Sequence, residues 1–349
     1  MLLKNSHLRR ITAFLLSAGL FVSSNVLAFA DDKEYDYIDS PVPEKVLVIG
    51  DSIATGYGLD GYDKGRENTM SYSNMLKADF ESELKVGKED FVNKAIDGQT
   101  SDELLDSLKK GEYDSLLKDR DLILISIGGN DLLHTLYGFF TENTEYGISF
   151  KELLEEHSLT NIIEVYSGLS KVLDEKIAAY GENLKEMFSY INSISDARVI
   201  LQTVYNPMDT TEKPKLFIAF VKSKITGLNE QILQNAANEK GEDNYTVADI
   251  YEAFSGHGDT LTNIKKVDIH PNADGHKKIY ETLDKLIRQT SYTVEVEKPK
   301  AEPAQAEPED DNDSEGTSAK TLLLIGGGAV LVGAVVATFI FARKRAGSK

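Results

Sequence analysis

Leu122-Ile-Leu-Ile-Ser-Ile127 is an unbroken apolar run but for one serine, and it stops on Gly128-Gly129-Asn130-Asp131. A strand without polar alternation is buried on both faces, so it belongs in a parallel sheet with helices above and below. A second such run, Lys45-Val-Leu-Val-Ile49, ends on Gly50-Asp51-Ser52. Shorter strands are expected at 91–95, 198–203 and 245–250. Helical spacing of apolar residues fills 69–83, 101–109, 161–194, 214–238 and the stretch ending at Ile287. The 101–109 helix has Thr100 or Ser101 to cap it. Strands alternating with helices of these lengths indicate βαβ units and one doubly wound α/β domain. That domain is placed at 45–292, after a polar lead at 31–44. Residues 134–160, with Tyr137, Phe139, Phe140, Tyr146 and Phe150, have no clean period. They read as helix plus loop packed on the core, or as a wall or lid over an apolar acyl pocket.

The two ends differ in kind from the middle. Residues 1–30 open with Lys4, Arg9 and Arg10, continue through an apolar run and close on Ala28-Phe29-Ala30, the pattern of a secretory signal peptide. Residues 293–320 are acidic and rich in Pro, Glu and Ala, a self-repelling linker. Asp311, Asp313 and Glu315 imitate the start of a calcium loop, but its twelfth position is Leu322, which cannot ligate. Residues 321–342 are apolar or small and long enough to cross a ~30 Å hydrocarbon core as a transmembrane helix. Arg343-Lys344-Arg345 follow in a basic tail, 343–349, that stays in the cytoplasm. The domain is therefore expected outside the cell, on a single-pass membrane anchor. The net charge of −19 becomes −19 − 3 = −22 once the first 30 residues are removed. Such a surface repels nucleic acid. The chain has no cysteine, which excludes disulfides, thiolate metal sites and cysteine nucleophiles. Export without disulfides fits a Gram-positive bacterium.

Acyl transfer needs a hydroxyl nucleophile, a base to deprotonate it and fixed donors for the oxyanion of the tetrahedral intermediate. Ser52, at the end of the first strand, and His270 supply the nucleophile and base. Gly98 and Asn130, each just past a strand, suit the oxyanion. His7 leaves with the signal, and nothing singles out His157 or His257. His134 reads as a packing or surface residue and His276 as part of the last helix, so no metal site is expected. Asp51 reads as a cap or turn residue.

Four motifs in order, Gly50-Asp51-Ser52-Ile53, the Gly98 turn, Gly128-Gly129-Asn130-Asp131 and His270-Pro271-Asn272, make the chain resemble the GDSL lipase/acylhydrolases, or SGNH hydrolases. The resemblance covers about residues 45–290. It implies a flavodoxin-like three-layer α/β/α fold and a serine esterase that needs no cofactor. Ser52 would attack a lipid acyl or short-chain ester, and His270 would act as base and then acid. The N–H groups of Ser52 and Gly98 and the Asn130 amide would form the oxyanion hole. In that family the triad aspartate stands three residues before the histidine, where this chain has Val267. Asp268, one residue nearer, is the expected third member, provided that a local bulge restores its reach. Otherwise Asp259 or a backbone carbonyl orients His270.

Three other readings compete. Gly56-x-Gly58-x-x-Gly61 matches a dinucleotide fingerprint by letter, but six residues separate it from the strand and a polar loop follows it. The Gly-x-Ser-x-Gly nucleophile elbow is missing. The alternative of another class is a non-catalytic surface module that binds polysaccharide or a partner protein through the same cleft.

Overall fold

The computed structural model describes residues 35–84, 90–142, 162–212, 214–237 and 244–297. The expected signal peptide, most of the acidic linker, the membrane span, the basic tail and residues 143–160 lie outside them. Among the described residues no helix is long and apolar enough to cross a membrane.

Among the described residues seven strands form two sheets. They are β1 (Tyr35–Ser40), β2 (Val46–Gly50), β3 (Phe91–Asn93), β4 (Leu122–Ser126), β5 (Arg198–Gln202), β6 (Thr246–Ala248) and β7 (Tyr292–Glu297). The five central strands are parallel in the order β3-β2-β4-β5-β6. Numbered within the sheet this is 2-1-3-4-5, the doubly wound order of flavodoxin-like folds. The chain reverses direction across the sheet between β2 and β4, whose pairing runs from Val46↔Leu122 to Gly50↔Ser126.

The helices are α1 (Ser52–Thr55), α2 (Tyr72–Leu84), α3 (Ser101–Lys109), α4 (Asp114–Leu117) and α5 (Gly129–Glu142). After them come α6 (Ile162–Ile194), α7 (Lys215–Gln234), α8 (Ile250–Phe254), α9 (Gly258–Leu261) and α10 (Ala273–Ile287). Alternate strand residues separate two cores, as the pleat requires. Leu47, Ile49, Ile123, Ile125 and Leu201 face Leu104 and Leu108 of α3, Leu184 and Phe188 of α6 and Leu228 of α7. Val46, Val48, Leu122, Leu124 and Ile200 face Leu76 and Phe80 of α2 and Ile279 and Leu283 of α10. Full burial of both faces is why these strands read as solid apolar runs. Thr100 caps α3 in a reciprocal capping box with Glu103.

Strand pairing extends past the stretch 45–292 expected for the domain. The polar lead and the start of the linker are two strands, β1 and β7, paired antiparallel from Tyr35↔Glu297 to Ser40↔Tyr292. Tyr292 and Val294 turn inward and are buried, which anchors an otherwise polar ribbon to the body. Of the region 134–160, residues through 142 belong to helix α5.

Candidate active site

Open α/β sheets bind ligands at the carboxyl ends of the strands where strand order reverses, and here that crevice lies between β2 and β4. Gly50 makes the crevice possible. It sits at φ +120°, and a Cβ there would lie 1.9 Å from the Ser126 carbonyl oxygen. Asp51 N–H then donates to that oxygen at 2.9 Å. The Asp51 carboxylate caps α1, accepting from Ile53 N–H at 3.1 Å and from the Ser126 hydroxyl at 2.8 Å. Burial pushes this carboxyl up to about 7, against the hydrogen bonds that lower it. Its place is that of a cap, as expected, and it holds Ser52 in the first helical turn.

Ser52 Oγ lies 3.0 Å from His270 Nε2, and His270 Nδ1 lies 2.5 Å from Asp268 Oδ1. A carboxylate only accepts, so Nδ1 carries the hydrogen and Nε2 is left to accept from the serine hydroxyl. Asp268 Oδ1 also accepts His270 N–H at 3.0 Å, so the carboxylate folds back on the backbone two residues ahead in an Asx turn. That turn, and not a bulge, compensates for the shortened spacing. Just before it, Val267 ends a 3₁₀ turn at φ +63°, its N–H donating to Ile264 O at 2.9 Å, and is the one non-glycine residue with positive φ among those described. Asp259, the alternative acid, is taken by the Thr210 hydroxyl and by Lys265, both at 2.9 Å. Two contacts fix the backbone around the base: Tyr205 OH donates to Ile269 O at 2.9 Å, and Asn263 N–H donates to His270 O at 2.9 Å.

A β-branched residue in the left-handed region costs about 1–2 kcal/mol. Glycine relieves that strain but frees the unfolded chain by about 0.4–1 kcal/mol. Val267→Gly is therefore expected to stabilise the protein by roughly 1 kcal/mol, a rise of about 2–4 °C in Tm by calorimetry. An unchanged or lower Tm would show that the Val267 side chain contributes stability equal to its strain.

Gly98 occupies the third position of a turn in which Gln99 N–H donates to Ile96 O at 3.2 Å, and its φ of +77° is the glycine position of a type II turn. The turn is tied to both strand ends. Ile96 N–H donates to Gly50 O at 2.8 Å, and the Asn130 amide Nδ2 donates to Gln99 O at 3.0 Å. That bond uses one of the two Nδ2 hydrogens and leaves the other. Among the described residues neither Ser52 N–H nor Gly98 N–H has an acceptor. Asp131, fully buried beside Asn130, accepts Ser101 N–H at 2.9 Å and the Ser101 hydroxyl at 2.6 Å. It thereby locks the start of α5 to the start of α3. The expected residues Ser52, Gly98, Asn130, Asp268 and His270 thus converge.

Sequence reasoning missed other members of the site. Tyr57 packs its ring on His270, with centroids 4.7 Å apart, and Tyr62 OH and Thr55 hold Asp97 next to Gly98. Tyr57 and Tyr62 sit in a glycine-rich loop whose letters carry no periodic signal. His134 is exposed and His257 caps α9. His276 is fully buried in α10, where it accepts Tyr72 N–H at 3.3 Å, and burial pushes its pKa down to about 3. It stays neutral. Among the described residues no acidic or histidine cluster could hold a metal ion.

From Ser52 and His270 a cavity of about 180 Å³ extends between the helices. Leu132, Leu136 and Tyr137 of α5, Leu173 of α6 and Phe217 and Val221 of α7 line its apolar part. Lys224 is the charged residue in that wall. Its ammonium is spent on the Ser170 hydroxyl at 2.5 Å and on Asp174 at 2.6 Å.

Sheet order and site together define an ester hydrolase on a doubly wound sheet. Residues 48–278 match the model of the GDSL-like Lipase/Acylhydrolase family, and the chain belongs to that family. It is 24% identical over 245 residues to the uncharacterised protein YpmR of Bacillus subtilis, covering 69% of this chain and 81% of that one. Among solved structures it is similar to the lipase Lip_vut3 from a goat rumen metagenome, with 22% identity, a TM-score of 0.49 and coverage of 68% and 95% of the two chains. It is also similar to a variant of the acetyl xylan esterase Axe2 from Geobacillus stearothermophilus, with 19% identity, a TM-score of 0.44 and coverage of 71% and 97%.

Proposed function

We propose that the protein is a serine esterase that cleaves carboxylic esters of medium-length acyl chains. The observation that carries this reading is the contact series Ser52–His270–Asp268 at the mouth of an apolar cavity. His270 Nε2 takes the Ser52 proton as Oγ attacks the ester carbonyl carbon. The oxyanion that forms is met by Ser52 N–H, Gly98 N–H and the remaining Asn130 Nδ2 hydrogen. His270 then gives its proton to the departing alkoxide, and the alcohol leaves an acyl-Ser52. Water repeats the sequence in the second half, with His270 again as base, and releases the carboxylic acid. Asp268 keeps the imidazole in the productive tautomer and stabilises its charged form.

The cavity favours hydrocarbon over acetate. A cavity of about 150 Å³ lined by Leu, Ile and Phe holds benzene, so about 180 Å³ takes an acyl tail of roughly six carbons. Each buried methylene contributes about 0.8 kcal/mol, close to fourfold in kcat/KM. Across 4-nitrophenyl esters the expected rise from acetyl to hexanoyl is therefore about 10². An acetyl optimum overturns the acyl-pocket reading. Silence on every ester favours the non-catalytic binding module.

The location rests on the sequence: signal 1–30, span 321–342 and basic tail 343–349 put the domain on the outer face of a single-pass anchor. Protease added to intact cells is expected to remove the domain. Its survival there, with digestion after lysis, would overturn that location.

A further inference from the structure

We infer that the mouth of the site docks on an uncharged lipid surface through Tyr57, Ile96, Tyr137 and Val267, so that the ester is taken from an aggregate. This inference rests on the esterase reading and specifies how its substrate is presented.

Each of the four side chains is exposed, and each belongs to a different piece of the site. Tyr57 lies on the imidazole of His270. Ile96 opens the turn that carries Gly98. Tyr137 is on α5, two turns beyond Asn130, and lines the cavity; Val267 precedes Asp268 and lines it too. Four exposed apolar side chains, one on each piece of a polar centre that leads into an apolar cavity, point to an interaction surface rather than scattered surface hydrophobes.

Val267 adds an independent argument. It is 81% exposed and sits at φ +63°, so it is unfavourable both in its contact with water and in its backbone. A glycine or asparagine would make the same turn without either penalty. Strain retained beside a catalytic group points to use of the side chain, and an apolar side chain aimed at water is useful when something apolar replaces that water.

The partner follows from what lies behind the rim. The cavity accepts hydrocarbon and ends at Ser52, so the docked surface must deliver an acyl chain. A lipid aggregate holds such chains just beneath its surface. The chain's net charge of −19 opposes anionic headgroups, which leaves uncharged or zwitterionic ones.

The sequence contains no tryptophan, so one introduced indole reports its own position. The full chain carrying Ile96→Trp would be reconstituted with vesicles of ether-linked phosphatidylcholine, which offers no ester to cleave. Its emission is expected to shift to the blue and to be quenched by nitroxide-labelled lipid. Tyr137→Trp serves as a second probe with the same expectation. Leu233→Trp, exposed near the far end of α7, is expected to do neither. No shift at 96 and 137, or an equal shift at 233, overturns the docking rim. Hydrolysis of soluble 4-nitrophenyl butyrate by the parent chain is measured alongside. A silent parent overturns the esterase reading, whereas the fluorescence result still decides the docking.

Discussion

Asp268→Asn is expected to lower kcat/KM for a soluble 4-nitrophenyl ester by up to about 10⁴, the loss seen when the triad aspartate of a serine protease becomes asparagine. The argument is about the tautomer. Asp268 Oδ1 accepts from both His270 Nδ1 and His270 N–H, and an amide can turn its NH₂ towards Nδ1. That would place the hydrogen on Nε2 and leave nothing to accept the Ser52 proton. The carboxylate is about a third exposed, with 34% of its side chain open to solvent, so solvent shares in stabilising the imidazolium. Asp259→Asn provides the comparison. Its carboxylate is spent on Thr210 and Lys265, and the expected rate is within a few-fold of wild type. A near-wild-type Asp268→Asn, or a collapse in Asp259→Asn, would remove Asp268 from its assigned role.

Asn130→Ala is expected to reduce kcat by about 10²–10³ with KM little changed, because the lost hydrogen bond forms fully only with the oxyanion. The substitution also strips Gln99 O of its donor, which costs about 0.5–1.5 kcal/mol of stability. A loosened turn would misplace the Gly98 N–H as well, so the loss should fall toward the upper end of that range. A small change in Tm beside a large change in kcat separates the oxyanion role from a folding defect. A rise in KM at constant kcat would instead assign Asn130 to ground-state binding.

How far the sequence could be read depended on the range of each signal. β2 and β4 were legible because burial on both faces leaves an uninterrupted aliphatic run, and the glycines that stop those runs mark where chemistry sits. The cap of α3 was legible as Thr100 or Ser101 because a cap is a local signal, and Glu103 closes the box on Thr100. The ribbon of β1 and β7 was not legible. Its partners are separated by more than 250 residues, and its composition matches the polar segments beyond it. The reach of Asp268 came from its own carboxylate folding back on the His270 N–H, next to a left-handed valine whose backbone state valine's own preferences oppose. The cavity was half legible: 134–160 offered a wall for an acyl pocket, and α5 lines it, but α6 and α7 join it from segments with no shared period. In the ribbon and the cavity the deciding contacts were distant in sequence.

The pairing of Tyr35 with Glu297 closes the domain into something near a ring. Opposite residues of antiparallel strands stand about 5 Å apart, so a two-residue turn would join the ends and make a hairpin of the ribbon. Fraying starts where a domain's chain enters and leaves it, and here opening either place must first strip inter-strand pairs. The residues that match the family, 48–278, include neither strand. A fragment cut to those limits would keep every proposed catalytic group and lose the clasp that holds its two ends together.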